Sequence, residues 1–457
     1  MSNKNIPALL IIPVILVCLL SGCAGHSEEL PEYIPPAQMY NQAITNMTAF
    51  GDLALSIRSV KLVTLDTQVF QENVEQTLSF QDYSTDSPSV DIQQTYIYPD
   101  YSFSCRHRYA DGTAYLSLDA NTFSTKVPYS TYAEQIFPLS FLDPQIYEHI
   151  EAKRFANRTL IGFSKPSGPE KWAFPQGAEF EDATGSVLLD SSGNFIKGSY
   201  SITYTGNAAT VQTHYTIIPA ETILPELDAD WDNALPIQDI QAPLILERSC
   251  ALLSSSAFVH GDSLSRITCQ LGTFSRTQQT NLTLDSRSEL TADITQEVSL
   301  TDGSRPGELF VSRQTESFRS GVYTVRSDSA EAIQEAVTAE IMEQYCRNLL
   351  VSSIPLPHHL EDAFFVHSGT KDTLTFKVSE AFAHIISAAA CESIYQDPAL
   401  LDTLASNYHT IIITCSLLID PVTGLPGLST LTYEGVYEID GQSYVLTSLN
   451  ELIYLYQ

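Results

Sequence analysis

The chain has 457 residues, 44% of them hydrophobic and 10% aromatic, with 54 acidic against 23 basic side chains and a formal net charge of −31. So acidic a chain has no basic stripe to displace phosphate counterions, which argues against nucleic acid as a partner, and an anionic membrane face repels it. Its length predicts two or three domains.

Lys4 supplies a small positive region, Ile6 to Leu20 is almost wholly apolar, and LLSGC closes the run at Cys23. That is the plan of a signal peptide over residues 1–22: about fifteen apolar residues are too few for a comfortable membrane span, and Pro7 and Pro13 interrupt them. LSGC resembles the lipobox of bacterial lipoproteins, which implies that Cys23 becomes the first mature residue and carries the lipid. With ~0.8 kcal/mol per buried CH₂ and more than one acyl chain, such an anchor holds stably. The expectation is a palmitate-type lipoprotein on the extracytoplasmic face of the cell membrane. Residues 23–37, with Pro31, Pro35 and Pro36, read as a tether that stands the folded part off the bilayer.

A first unit is predicted over residues 38–220. It opens with a helical stretch, Gln38 to Phe50, in which Met39, Ile44, Met47 and Phe50 share a face. The period then changes to two through DLALSIRSVKLVTL, QTLSFQDY, SVDIQQTYIYPDYSFSCRHRY and TAYLSLDANTFS, as half-buried antiparallel strands require, with Asp111-Gly112 as a turn. Thr131 to Ile150 breaks the alternation and reads as one or two short helices, before further strands end in TVQTHYTII.

Residues 221–236 read as a linker, and residues 237–457 repeat the order. A helix over Ile245 to Ser256 precedes alternating strands. Ala330 to Leu350 gives the longest helical signal, with Ile333, Val337, Ile341 and Tyr345 at i, i+4 spacing. A strand KDTLTFKV, a helix over Ala381 to Gln396 and a closing hairpin at Asp440-Gly441 follow.

The two units share a sentence. SVLLDSSGNFIKGSYSITYTG (Ser186 to Gly206) and SLLIDPVTGLPGLSTLTYEG (Ser416 to Gly435) both carry Ser-apolar-Leu-apolar-Asp, a Gly after a polar turn, then Ser, Tyr and Gly. Their alignment matches Asp190 with Asp420 and Tyr204 with Tyr433. Asp can bond backbone amides in such a turn and Gly can take positive φ, so these residues shape a fold. The predicted class is α+β: two tandem copies of a curved antiparallel sheet, each a half barrel covered by inserted helices.

This order, with the Asp-x-x-Thr-Gly-x-Pro turn at Asp420 to Pro426, Tyr433, Tyr437 and the Asp440-Gly441 hairpin, resembles the lipoprotein-carrier superfamily of LolA and LppX types. It is closer still to the lipid-anchored members of Gram-positive bacteria. The first copy has Asp190-Ser191-Ser192-Gly193 and lacks the Thr and Pro. The resemblance implies a concave face that holds acyl chains.

Chemistry-bearing motifs are sparse. His358 with Glu361, or His359 with Asp362, would face together at i, i+3 on a helix, yet prolines at 355 and 357 and the lack of a second ligand pair favour an exposed polar loop. His107, between Arg106 and Arg108 on a strand, reads as part of a solvated face. His384 reads as a partly buried histidine on an apolar helix, and Trp172 and Trp231 could line a binding surface. Cys105, Cys250, Cys269, Cys346, Cys391 and Cys415 form no CxxC pair, so disulfides and buried thiols both remain open. With no nucleophile elbow, zinc motif or phosphate loop, no enzyme, cofactor or metal is expected.

Two functions compete. One is a carrier lipoprotein whose concave faces hold an apolar ligand such as a lipid; the other is an envelope structural or signalling protein with filled cores and a protein partner. The second copy is the expected holder of a cavity, beneath Ala330–Leu350 and Ala381–Gln396 as a lid.

Overall fold

Strand alternation turns each half of the chain into one open, curved antiparallel sheet. The computed structural model describes residues 34–48, 52–82, 88–136, 147–166, 175, 177–220, 229–270, 274–301, 308–328, 330–352, 354–368, 371–382, 385–386, 389 and 408–456. The first half runs from α1 (Pro36–Thr48) through β1 (Leu53–Leu65), β2 (Gln68–Gln81), β3 (Ser89–Ile97), β4 (Ser102–Ala110), β5 (Thr113–Leu118) and β6 (Asn121–Lys126) to α2 (Tyr129–Ile136). It returns through β7 (Tyr147–Phe155), β8 (Arg158–Pro166), β9 (Glu179–Asp190), β10 (Phe195–Gly206) and β11 (Ala209–Pro219). Then come α3 (Ala229–Asp232), β12 (Leu235–Pro236) and α4 (Ala242–Ser254).

The second half follows with β13 (Phe258–Cys269), β14 (Phe274–Asp285), β15 (Thr291–Thr301), β16 (Leu309–Arg319), β17 (Val322–Ser327), β18 (Ala330–Ala336) and α5 (Ala339–Val351). A 3₁₀ turn at Pro357–His359 leads to β19 (Leu360–Ser368), β20 (Lys371–Val378), β21 (Tyr408–Ile419), β22 (Pro426–Ile439) and β23 (Gln442–Leu455).

The strand orders correspond. The first sheet reads β12-β6-β5-β4-β3-β2-β1-β11-β10-β9-β8-β7 and the second β18-β17-β16-β15-β14-β13-β23-β22-β21-β20-β19. In both, the first strand of the half pairs with its last at the centre: Leu55 lies opposite Pro219 and Gly261 opposite Tyr454. β12, from the segment read as a linker, adds to the first sheet alongside β6, in parallel.

Turn chemistry follows the sequence. Asp111-Gly112 and Asp440-Gly441 both take positive φ, at 51° and 77° and at 52° and 76°, as a two-residue hairpin needs. In the shared motif, Asp190 Oδ1 accepts from the amides of Ser192 and Asn194 at 2.8 Å, and Asp420 Oδ1 from those of Val422 and Thr423 at 2.9 and 2.8 Å. Gly193 and Gly424 follow at φ 83° and 82°. The tyrosines, however, do not match. Seven residues before each Asp, Ala183 pairs with Ile202 and Ile413 pairs with Tyr433, so Tyr433 takes the place of Ile202, with Tyr204 two residues further along. The second loop is one residue longer rather than shorter: Leu188 pairs with Lys197, but Leu418 with Leu428.

Two helix expectations are corrected. Ala330 to Leu350 divides into strand β18 and helix α5, because an i, i+4 apolar spacing also satisfies a period of two, and Thr338, extended at φ −72° and ψ 154°, caps the helix only there. Thr131 to Ile150 yields α2, which ends at Ile136, and from Tyr147 the chain is strand β7; residues 137–146 lie outside the described residues. Most of Ala381–Gln396 lies outside them too. α1 buries Tyr40 and Ala43, with Met39, Ile44 and Met47 packed at the edge.

The sheets meet along a seam organised by α4. The Gln68 side chain donates to the carbonyls of Phe258 at 3.1 Å and Tyr456 at 2.5 Å and accepts from the Phe258 amide at 2.9 Å. Asn207 donates to Asp420 at 2.6 Å, and Gln238 binds Asp362 through backbone and side chain, each at 2.8 Å. A Cβ on Gly206 would meet Val422 at 2.8 Å, so glycine lets the two motifs approach.

Candidate cleft between two helices

The sequence ILERSCALL places Glu247 and Arg248 inside an otherwise apolar helix, α4. The structure separates them. Arg248 enters the concave face of the first sheet, where its Nη2 and Nε reach the Glu72 oxygens at 2.7 and 3.0 Å and its guanidinium lies 5.3 Å from the Tyr96 ring centre. Tyr98 donates to the same carboxylate at 2.6 Å. Glu72 is held down to about 2, its burial being outweighed by Arg248 and by Lys61 opposite it in the strand register. Burial lowers the Lys61 ammonium to about 8.

Glu247 faces the other way, onto a cleft of about 580 Å³ bounded by α4, α5 and the β3–β4 turn. Leu246, Ala251, Val351, Ile354 and Leu356 give it an apolar wall; Asp100, Glu340 and Glu343 bring acidic groups to it. Tyr101 donates to Glu247, while burial pushes that carboxyl above its usual range. Arg347 of α5 binds Glu343 through Nε at 3.1 Å and donates to the carbonyls of Leu253 and Ser256 at 3.4 and 3.3 Å. Those carbonyls lie at the C-terminal end of α4, where a cation is favoured, so one side chain fixes the two helical walls together.

Cys250 lines the same cleft, but burial pushes its thiol up to about 12, which keeps it protonated and a poor nucleophile. Cys105, Cys250, Cys269, Cys346 and Cys415 are free thiols, and Cys391 lies outside the described residues. The arrangement can therefore enclose a molecule with an apolar body and meet a polar end; it offers no activated nucleophile.

The residues singled out by sequence fare differently. Cys23, Trp172 and His384 lie outside the described residues. His358 and His359 sit on the 3₁₀ turn, and Glu361 and Asp362 already belong to β19, so the helical i, i+3 pairing does not form. Asp362 serves Gln238 instead, and Glu361 meets Lys377 at 3.0 Å. Among the described residues no cluster of three metal-type ligands occurs. Trp231, 5% exposed, packs edge-on against Tyr115 rather than lining a surface.

His107 is a correction. It is 1% exposed on the concave face, between Ile92 and Leu116, because the strand's inward set is Phe103, Cys105, His107 and Tyr109, while its arginine neighbours point outward. Neither ring nitrogen has a partner among the described residues, and burial drops the imidazole to about 4. The cleft itself was missed, since it joins residues near positions 100, 250 and 350. The one local signal was the charged pair inside ILERSCALL, which an apolar helix tolerates only where each charge has a destination.

No protein-family model and no curated protein matches this chain. Among solved structures, LprF from Mycobacterium bovis is similar over 42% of this chain and 96% of its own, at 10% identity and a TM-score of 0.25. A DUF1329 family protein from Desulfovibrio piger is similar over 42% and 95%, at 8% identity and a TM-score of 0.22. The MucA/MucB complex of Pseudomonas aeruginosa is similar over 91% and 93%, at 8% identity and a TM-score of 0.21.

Proposed function

We propose that the chain is a lipid-anchored, extracytoplasmic binding protein of the lipoprotein-carrier type, non-enzymatic, whose two halves over residues 38–220 and 237–457 are tandem copies and which holds an apolar or amphipathic ligand between α4 and α5. The carrying observation is the cleft of about 580 Å³ with its apolar wall and buried Glu247; its size falls within the range of small-molecule sites, which combine apolar walls with a few fixed polar groups. The anchor reading rests on LLSGC after an apolar run.

The test is extraction of the purified protein with organic solvent and mass spectrometry, beside titration with a fluorescent fatty-acid probe. Saturable probe binding that Ser254→Trp with Asn348→Trp abolishes supports the reading; its absence, with no co-purified lipid, sinks it in favour of a protein partner. For the anchor, Cys23→Ala should release the protein from washed membranes, and retention there counts against lipidation.

A further inference from the structure

The concave face of the second sheet carries a half-buried row that is polar on all five strands it crosses. The register aligns Ser263, Thr280, Gln296, Gln314 and Ser327 in one row across β13, β14, β15, β16 and β17. Next to it runs a shorter row of Asn450, Ser265 and Gln278. All eight side chains belong to half-buried residues. Over the start of these rows lies a second cleft of about 220 Å³, closed on one side by Leu349 and Leu350 of α5 and by Ser352 just beyond it. In the first sheet a five-strand row of the same face reads Ile57, Gln76, Gln94, Cys105 and Leu118, with Gln94, Cys105 and Leu118 buried.

The floor is uncharged. Glu316, two residues along β16 from Gln314, is occupied by Tyr323 at 2.6 Å, Gln314 at 2.8 Å and Tyr345 at 3.2 Å, and Arg276 at the rim donates to Gln278 at 2.6 Å. Every hydroxyl and carboxamide on the floor both donates and accepts. An acyl chain laid there would take water from these groups and return no hydrogen bond. A charged ligand would find no counterion on the rows themselves, and an extended peptide satisfies its backbone along a strand edge rather than across strands.

We propose that this face is a second site, separate from the larger cleft, for a neutral polyhydroxylated chain: an oligosaccharide lying across the strands. At ~4.8 Å between neighbouring strands, the five-strand row offers a track of ~19 Å, long enough for several sugar rings in line. α5 stands between the sites, presenting Glu343, Arg347 and Val351 to one and Leu349 and Leu350 to the other.

The test is calorimetric titration of the full-length protein, in a zwitterionic detergent without a sugar headgroup, with neutral maltooligosaccharides and with N-acetylglucosamine oligomers of four to six units. Saturable heat with either series is expected, weakened at least tenfold by Thr280→Val with Gln296→Leu, while fatty-acid probe binding is unchanged. Should that variant fail to fold, hydrogen exchange on the unaltered protein substitutes: saturating glycan should slow exchange in residues 274–301. No heat with either series, no protection, or binding undiminished in a folded variant overturns the site.

Discussion

The two sheets share a strand order and diverge in what they do with their concave faces. The first sends inward a buried ion pair, Glu72 with Arg248, a lone imidazole at His107 and a stack of tyrosines, all covered by α1, α2 and α4. The second covers one end of its concave face with Met342, Cys346 and Leu350 of α5 and leaves hydroxyls and carboxamides at the other. A sheet curved this way must be filled or left with room, because interiors pack densely and voids are costly. Two sheets of one strand order thus hold both solutions in one chain: the first closed over, the second with accessible surface.

The comparison breaks most readily at Arg248. Arg248→Leu strands the Glu72 carboxylate, 5% exposed, and should cost about 3 kcal/mol of unfolding free energy, the low end for a broken buried pair because Arg248 is 32% exposed. Adding Glu72→Leu should recover most of that loss. Arg276→Leu, the nearest analogue in the second sheet, should stay within about 1 kcal/mol. Denaturant titration distinguishes these, and equal losses from Arg248→Leu and Arg276→Leu would remove the proposed asymmetry.

His107 sharpens the contrast through pH. Its folded value of about 4 lies below the ordinary 6.5, so between those limits the unfolded chain holds the extra proton and stability falls as pH drops. From pH 7 to pH 5 its share of the loss is about 2 kcal/mol at 1.36 kcal/mol per pH unit. His107→Phe should flatten the acid side of the stability profile by that amount. An unchanged slope would mean that the ring is paired or hydrated in solution.

The smallest effect tests the shared motif. Asp420→Ala removes the turn acceptor together with the Asn207 bond across the seam, and should cost about 1.5 kcal/mol. Asp190→Ala removes only a turn acceptor in an exposed loop, and its effect should fall among ordinary surface substitutions. Thermal unfolding of the pair decides; equal shifts would mean that the seam bond is idle.

The alternation in SFSCRHRY and TAYLSL made the sheets legible, because a period of two has one reading when the polar set is clear. AEAIQEAVTAEI had two, and pairing with β17 chose the strand for its first seven residues against their helix propensity. Asp and Gly marked the turns because only a few residues take positive φ without strain. His107 misled because two flanking arginines made its strand look solvated, although a strand's neighbours lie on opposite faces. Neither cleft was readable, since each depends on the register or on helices a hundred residues apart.

Central pairing of first strand with last sets an order in time. β1 cannot meet β11 until the whole intervening chain is made, and β13 waits likewise for β23. Loops that long raise the entropy of closure and slow the final zipping. A chain folding as it is made would have β1 bonded only to β2, its other edge awaiting a partner that comes later. The charges of Arg58 and Lys61 along that strand would then keep the waiting edge from joining a neighbouring copy, as charges do on exposed edges elsewhere.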